Sequence, residues 1–167
     1  MKGLFVQMTG LSGAGKTTLA TNAASRLRKK GFKVEVIDGD EYRDGLCSDL
    51  GFSKEDRNTN IRRLGFVGKI LARNGVIVIM SAINPYEKIR QEIEGKVAYI
   101  KCDLDVVIER DTKGLYAKAL SGEIENFTGI SDPFEEPEFP DLVIDTGEEH
   151  LVTSANKLYE FILGNLK

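Results

Sequence analysis

Two rhythms of apolar residues alternate along the chain. Short apolar runs over residues 4–9, 33–38, 76–80, 97–102 and 142–145 read as strands. Val76-Ile77-Val78-Ile79-Met80 is continuously apolar, which fits a central strand of a parallel sheet. Between the runs lie segments of helical spacing. Ser53 opens the longest, with Asp56 placed to complete a cap, and Ile61, Leu64, Phe66, Val67, Ile70 and Leu71 supply its apolar face until Asn74-Gly75 stops it. Further helices are predicted over 18–30, 86–93 and 104–109, in a short segment ending at Leu120, and over 151–166. Asn84-Pro85 reads as a cap and a first-turn proline for the helix over 86–93. Residues 41–52 are polar and glycine-broken, fit for a surface loop or a substrate wall. Residues 121–141 are the longest stretch without pattern, and with 110–120 they predict a mobile cover or substrate loop. Strands alternating with helices predict an α/β fold, a doubly wound parallel sheet of about five strands with helices on both faces. Right-handed crossovers would bring all the strand ends to one edge.

Composition narrows the setting. The 167 residues predict one domain spanning 1–167, large enough for a substantial core. Apolar residues at 41% and charged residues at 29% are ordinary for a globular chain. A net charge of −3 offers no general basic footprint, so nucleic acid is not the expected partner and any anionic ligand must be held by local cations. Cys47 and Cys102 lie far apart and form no metal-ligand pattern, which suits a reducing compartment. There is no signal-peptide pattern and no apolar run approaching the roughly 18 residues of a membrane span. The expectation is a cytoplasmic protein without a membrane partner.

The first predicted turn carries the chemistry. Gly10-Leu11-Ser12-Gly13-Ala14-Gly15-Lys16-Thr17 is G-x-x-x-x-G-K-[ST], between a predicted strand and a predicted helix, which is the context that gives this motif meaning. Glycines let the backbone wrap closely around phosphates, and the helix N-terminus adds partial positive charge at the same place. Gly10 to Thr18 are therefore expected to bind a nucleoside triphosphate, with Lys16 on the β- and γ-phosphates and the Thr17 hydroxyl on Mg²⁺. Asp38-Gly39-Asp40 ends the second strand at the same edge. Its carboxylates are either turn chemistry or the acid and base of a transfer site. Arg57, Asn60, Arg62 and Arg63 crowd the first turns of the long helix, as a solvated face or as part of a site. Arg43, Arg57, Arg63 and Lys113 are all expected near the same edge and point to a second anion site. No N-K-x-D guanine motif is present, and the chain is short for a motor ATPase. His150, the only histidine, reads as a surface residue. These residues read as a small-molecule or nucleotide kinase.

In this order the motifs resemble the adenylyl-sulfate kinase family. The matching pieces are residues 10–18, Asp38-Gly39-Asp40 with Arg43, Gly45-Leu46, Asp49-Leu50-Gly51-Phe52-Ser53, Asp56-Arg57 and Asn60-Ile61-Arg62-Arg63. They continue with Pro85-Tyr86, Arg110-Asp111, Lys113-Gly114-Leu115-Tyr116, Gly122-Glu123-Ile124 and Asn126-Phe127-Thr128-Gly129-Ile130. The resemblance implies a P-loop kinase that phosphorylates the ribose 3′-hydroxyl of adenosine 5′-phosphosulfate (APS) with ATP and Mg²⁺. The product would be 3′-phosphoadenosine 5′-phosphosulfate (PAPS), which serves sulfate assimilation or sulfation. It implies that Arg43, Arg57 and Asn60 hold the phosphosulfate and ribose, with Asn126 also among the substrate-binding residues. Phe52 and Phe127 would sandwich the adenine, and Ile83, Asn84 and Lys113 would lie against the substrate. Asp40, with Asp38 near, is implied as base or as metal-side acid, with Thr17 and Asp40 as the metal residues. Lys16, Asp38, Asp40 and Arg110 form the implied catalytic set, with Arg110 and Lys113 as charges of a lid. A homodimer is implied as well.

Three positions depart from the family pattern. Asn84 stands where a serine is usual, and some members become phosphorylated on that serine; Asn84 has no hydroxyl, so direct in-line transfer is expected. Asp44 replaces a histidine and would bring negative charge near an anionic acceptor, and Thr112 replaces a proline. Kinases of other nucleotide analogues, such as a cytidine diphosphoramidate, are therefore the alternative, and a non-enzymatic nucleotide-binding module is a third reading.

Overall fold

The computed structural model describes residues 2–167. Its centre is a sheet of five parallel strands in the order β2-β3-β1-β4-β5: β1 Leu4–Thr9, β2 Val34–Asp38, β3 Ile77–Ser81, β4 Lys96–Lys101 and β5 Leu142–Asp145. β1 and β3 run side by side in the middle, Leu4 opposite Ile77 and Gln7 opposite Met80. Every residue of β3 is buried, as its unbroken apolar run requires. All five carboxyl ends reach one edge.

Helices cover both faces. α1 (Lys16–Lys29) and α7 (Leu151–Asn165) pack on one side through Leu19, Ala23, Leu27, Ala155, Leu158 and Ile162, against Val6, Met8, Ile79 and Ile100. α3 (Lys54–Arg73) and α4 (Glu87–Ile93) pack on the other through Ile61, Leu64, Ile89 and Ile93, against Phe5, Val78 and Met80. The chain leaving β1 therefore enters one layer and the chain leaving β3 enters the other. A crevice opens between these two strand ends, the position where α/β sheets bind ligands. α2 (Gly39–Asp44), α5 (Leu104–Arg110) and α6 (Leu115–Leu120) are short helices at the carboxyl edge. Among the described residues no helix is long and apolar enough to cross a membrane.

Three local expectations change. Residues 39–44 form α2, because the Asp38 carboxylate accepts from the N–H groups of Asp40 and Glu41 and so caps the helix. The turn reading of Asp38 is met by this cap. α4 begins at Glu87, with Tyr86 at its cap, and Asn84 is no cap: it is buried at φ 50°, its side-chain N–H donating to Gln7 Oε1. Phe66 lies outside the apolar face of α3 and is 67% exposed. The Ser53 cap forms as expected, its hydroxyl accepting from the N–H of Asp56 at 3.1 Å.

Candidate active site

The loop after β1 is held by backbone. Gly10 donates to the carbonyl of Ile83, and a Cβ there would come 2.4 Å from the carbonyl oxygen of Ile100, so only glycine fits between the strand ends. Gly15, at φ 99°, turns the chain into α1. Two side chains brace the loop from outside: the Tyr116 hydroxyl donates to the Ser12 carbonyl at 2.6 Å, and the Thr146 hydroxyl to the Ala14 carbonyl at 2.6 Å. Lys16 is buried, and its ammonium donates to the carbonyls of Gly10 and Leu11, both at 2.8 Å. Burial pushes its pKa down to about 8 against the opposing pull of Asp40. An incoming polyphosphate supplies the anion that this cation lacks.

Beside Lys16 three oxygen groups converge. The Thr17 hydroxyl lies 3.1 Å from Asp38 Oδ2 and 3.1 Å from the Ser81 hydroxyl. The carboxylate that meets Thr17 is thus that of Asp38; Asp40 Oδ2 instead accepts from Lys113 Nζ at 2.8 Å. Thr17 and Asp40 were expected to share the metal; here the cap draws the Asp38 carboxylate over the start of α2 and onto Thr17, while Asp40, in the first turn of α2, lines the cavity and meets Lys113. Hydroxyl and carboxylate oxygens are the donor set of a hard divalent cation, so this cluster fits Mg²⁺.

A cavity of about 620 Å³ runs from the phosphate loop to a second wall. That wall carries Arg43, Phe52, Arg57 and Asn60, with Ser81 to Pro85 as a shelf and Thr112 and Lys113 on the covering side. α3 sets the selection. Arg57, Asn60, Ile61 and Leu64 share its inner face at helical spacing, and all four are buried. Arg62 and Arg63 pair with Glu92 and Asp49; Arg62 is exposed and Arg63 partly so, and neither lines the cavity. Arg63, expected at a second anion site, is instead paired with Asp49 away from the cavity lining. Arg57 donates to the carbonyls of Phe52 and Asn126 and has Asp132 as a nearby counter-ion at 3.8 Å; burial lowers its pKa, and Asp132 opposes that shift. The buried Asn60 Oδ1 has no protein partner, and the residue lines the cavity. Phe52 is 53% exposed in the cavity wall, with the Arg43 guanidinium 4.3 Å from its ring centre.

A family profile described as adenylylsulphate kinase matches residues 2–145. The chain belongs to the adenylyl-sulfate kinase family. It is 51% identical to the adenylyl-sulfate kinase of Halothermothrix orenii, over 96% of this chain and 90% of that one. It is 52% identical, over 95% of its own length, to the "Probable bifunctional SAT/APS kinase 2" of Sorangium cellulosum, of which it spans 28%. Its structure is similar to that of the Mycobacterium tuberculosis APS kinase in complex with AMPPNP and APS, with TM-score 0.92, 37% identity and coverage of 97% and 98% of the two chains.

The other residues that the family resemblance pointed to fall in different places. Ile83 and Asn84 form the shelf. Asn84 faces the sheet with its amide N–H groups, and its buried Oδ1 has no partner. Asn126 acts through its carbonyl, which accepts from Arg57. Phe127 is outside the cavity wall; its ring is half-buried and packs edge-on against Tyr116, 5.0 Å between centres, so the expected two-ring sandwich has only Phe52 in place. Arg110 lies on the outer side of the phosphate loop, donating to the carbonyls of Gly13 and Thr146. Asp44 is exposed and does not line the cavity, so its charge does not face an acceptor there. Sequence reasoning missed Ser81 and the Tyr116 and Thr146 braces. Ser81 was visible as the polar end of an apolar strand, whereas the braces depend on contacts across more than a hundred residues.

Proposed function

We propose that this chain transfers the γ-phosphate of ATP to the ribose 3′-hydroxyl of adenosine 5′-phosphosulfate, giving PAPS and ADP. The observation that carries the proposal is that one cavity joins the phosphate loop to a wall of Arg43, Phe52, Arg57 and Asn60, in a chain of this family. Backbone N–H groups of residues 10–18 and Lys16 hold the triphosphate. Thr17, Ser81 and Asp38 are the residues that would hold Mg²⁺, which when bound neutralises phosphate charge and so lowers the cost of charge in transfer. Arg57 and Arg43 take the anionic phosphosulfate, Asn60 the ribose, and the partly exposed ring of Phe52 the adenine. Asp40 takes the proton of the 3′-hydroxyl as its oxygen forms the new bond to the γ-phosphorus. The bond from that phosphorus to the β,γ-bridging oxygen breaks, and ADP leaves. Lys113 holds Asp40 for this step. Transfer is direct, since Asn84 offers no hydroxyl to phosphorylate.

We read the chain as one kinase domain of a cytoplasmic homodimer. Two buried, unpaired thiols support a reducing compartment; the dimer rests on the family resemblance. The test is ADP release measured with APS, AMP, adenosine and a cytidine diphosphate analogue as acceptors, with intact mass spectrometry after incubation with ATP and Mg²⁺. The expected result is turnover with APS and an unmodified protein mass. A faster reaction with the cytidine acceptor overturns the substrate, and a stable phosphate adduct overturns direct transfer.

A further inference from the structure

We propose that Asp111 is a positioning residue whose carboxylate folds the turn that delivers Lys113 to Asp40. Lys113 and Asp40 are both well exposed, with side chains 60% and 81% accessible. An exposed pair of this kind is weak on its own. No packing holds Lys113 over the phosphate loop, so its place is set by the backbone that carries it.

That backbone is a turn built around Asp111. The residue ends α5 at φ 28°, a left-handed conformation that aspartate tolerates better than most side chains. Its N–H donates to the Val107 carbonyl at 2.9 Å, closing α5, and its carbonyl accepts from Gly114 at 2.9 Å, closing the turn. Its carboxylate then reaches past Lys113 to α6 and accepts from the N–H of Tyr116 at 2.9 Å and of Ala117 at 3.0 Å. These are orphan donors of the first turn of α6, whose own cap residue, Gly114, has no side chain to offer. One residue thus ends one helix through its backbone, begins the next through its carboxylate and fixes the three residues between them. The same cap places Tyr116, which braces the phosphate loop at Ser12. Lys113 and the phosphate loop are in this way held in a common frame by Asp111. The inference rests on the proposed function for the role of Lys113.

The experiment is a double-mutant cycle of Asp111→Ala and Lys113→Met, with Asp111→Asn as the conservative variant, read by kcat and KM for ATP and acceptor. Asp111→Ala is expected to lower kcat about tenfold, as a small misplacement of a working group does, with KM for ATP within about twofold of the native value. Asp111→Asn keeps one acceptor and the backbone preference, and is expected to restore most of the loss. In the Lys113→Met protein, Asp111→Ala is expected to cost clearly less than in the native protein, the remainder being what reaches the phosphate loop through Tyr116. Losses that multiply in the double variant overturn the inference, as does an Asn variant no better than Ala. A second measurement is amide hydrogen exchange of Tyr116 and Ala117, which needs no acceptor: faster exchange at these sites in Asp111→Asn or Asp111→Ala supports the cap, and unchanged exchange overturns it. Absence of native turnover with APS overturns the proposed function instead, and the cycle is then run on the acceptor that does turn over.

Discussion

The phosphate loop and the wall that faces it across the cavity are built in opposite ways. The loop is locked by backbone: Gly10 is wedged against Ile100, and the carbonyls of Ser12 and Ala14 are tied to distant hydroxyls. Its one charged group, Lys16, is buried. The acceptor side is built from side chains on short, exposed elements. α2 carries Asp40 and Arg43, the turn before α6 carries Lys113, and Phe52 stands half in solvent. A triphosphate presents the same atoms in every cycle, and a fixed cradle suits it. Acceptors differ in base and anion, and side chains on short elements are where such differences are read. Arg57 and Asn60 are the exceptions that join the two styles, buried polar side chains on the long helix α3 that reach the acceptor wall.

The largest effect is expected at the rigid end. Lys16→Ala should lower turnover on the order of 10²–10³-fold or more, the loss seen when a charge-stabilising group is removed from a transfer site. The same lysine should cost stability in the nucleotide-free protein. Its folded pKa of about 8 lies below its unfolded 10.5, so between these values the unfolded chain binds more protons and stability rises with pH. Below pH 8 the penalty is fully present, at roughly 3 kcal/mol as an upper figure. Lys16→Met should therefore melt higher than the native protein at pH 7 without nucleotide, and the gain should fade as pH rises through 10.5. Urea unfolding of both proteins across that range checks it; a less stable Lys16→Met protein at pH 7 would falsify the buried-charge account.

The next contrast lies within one helix. Arg57→Gln should raise the acceptor KM by roughly tenfold to a hundredfold, the value of a charge-assisted hydrogen bond. Arg63→Gln should change it by less than about twofold, because an exposed pair such as Arg63 and Asp49 is weak and stands outside the cavity. Equal effects at the two positions would mean that the inner and outer faces of α3 do not divide as the structure divides them.

How legible each half was in the sequence follows the same division. The strand, glycine loop and helix around Lys16 were plain, because backbone demands leave few residue choices. The order of strands and helices was plain for the same reason, apart from α2. That helix escaped notice because it is short, flanked by glycines and capped by an Asp38 already assigned to a site. On α3 the four polar residues looked alike in the sequence, and only helical geometry in place separates Arg57 and Asn60 from Arg62 and Arg63. Asn84-Pro85 misled because Asn-Pro is a good helix opening in isolation. Here Asn84 is consumed by the sheet, bonding Gln7, and the helix starts later. No local pattern announces contacts such as Tyr116 with Ser12, which close only when the fold does.

The finest test of the comparison sets two phenylalanines against each other. Both were expected to stack on the acceptor base, yet they lie in different surroundings. Phe52 stands in the cavity wall, more than half exposed, with the guanidinium groups of Arg43 and Arg57 over its ring at 4.3 and 5.5 Å. Phe127 is packed against Tyr116 and the core layer under α1. A base stacked on one ring gains roughly 1–3 kcal/mol, so Phe52→Ala should raise the acceptor KM about fivefold to a hundredfold, with ATP use and melting temperature little changed. Phe127→Ala removes a half-buried ring, and its first effect should be on stability, roughly 2 kcal/mol, about half the cost of a fully buried phenylalanine. Part of that loss should reach the loop, since Tyr116 leans on Phe127 and braces Ser12. Thermal melts and initial rates on the two variants separate the readings. A Phe127→Ala protein of native stability with a raised acceptor KM, beside a neutral Phe52→Ala, would reverse the assignment and put the open face of the acceptor site on the cover.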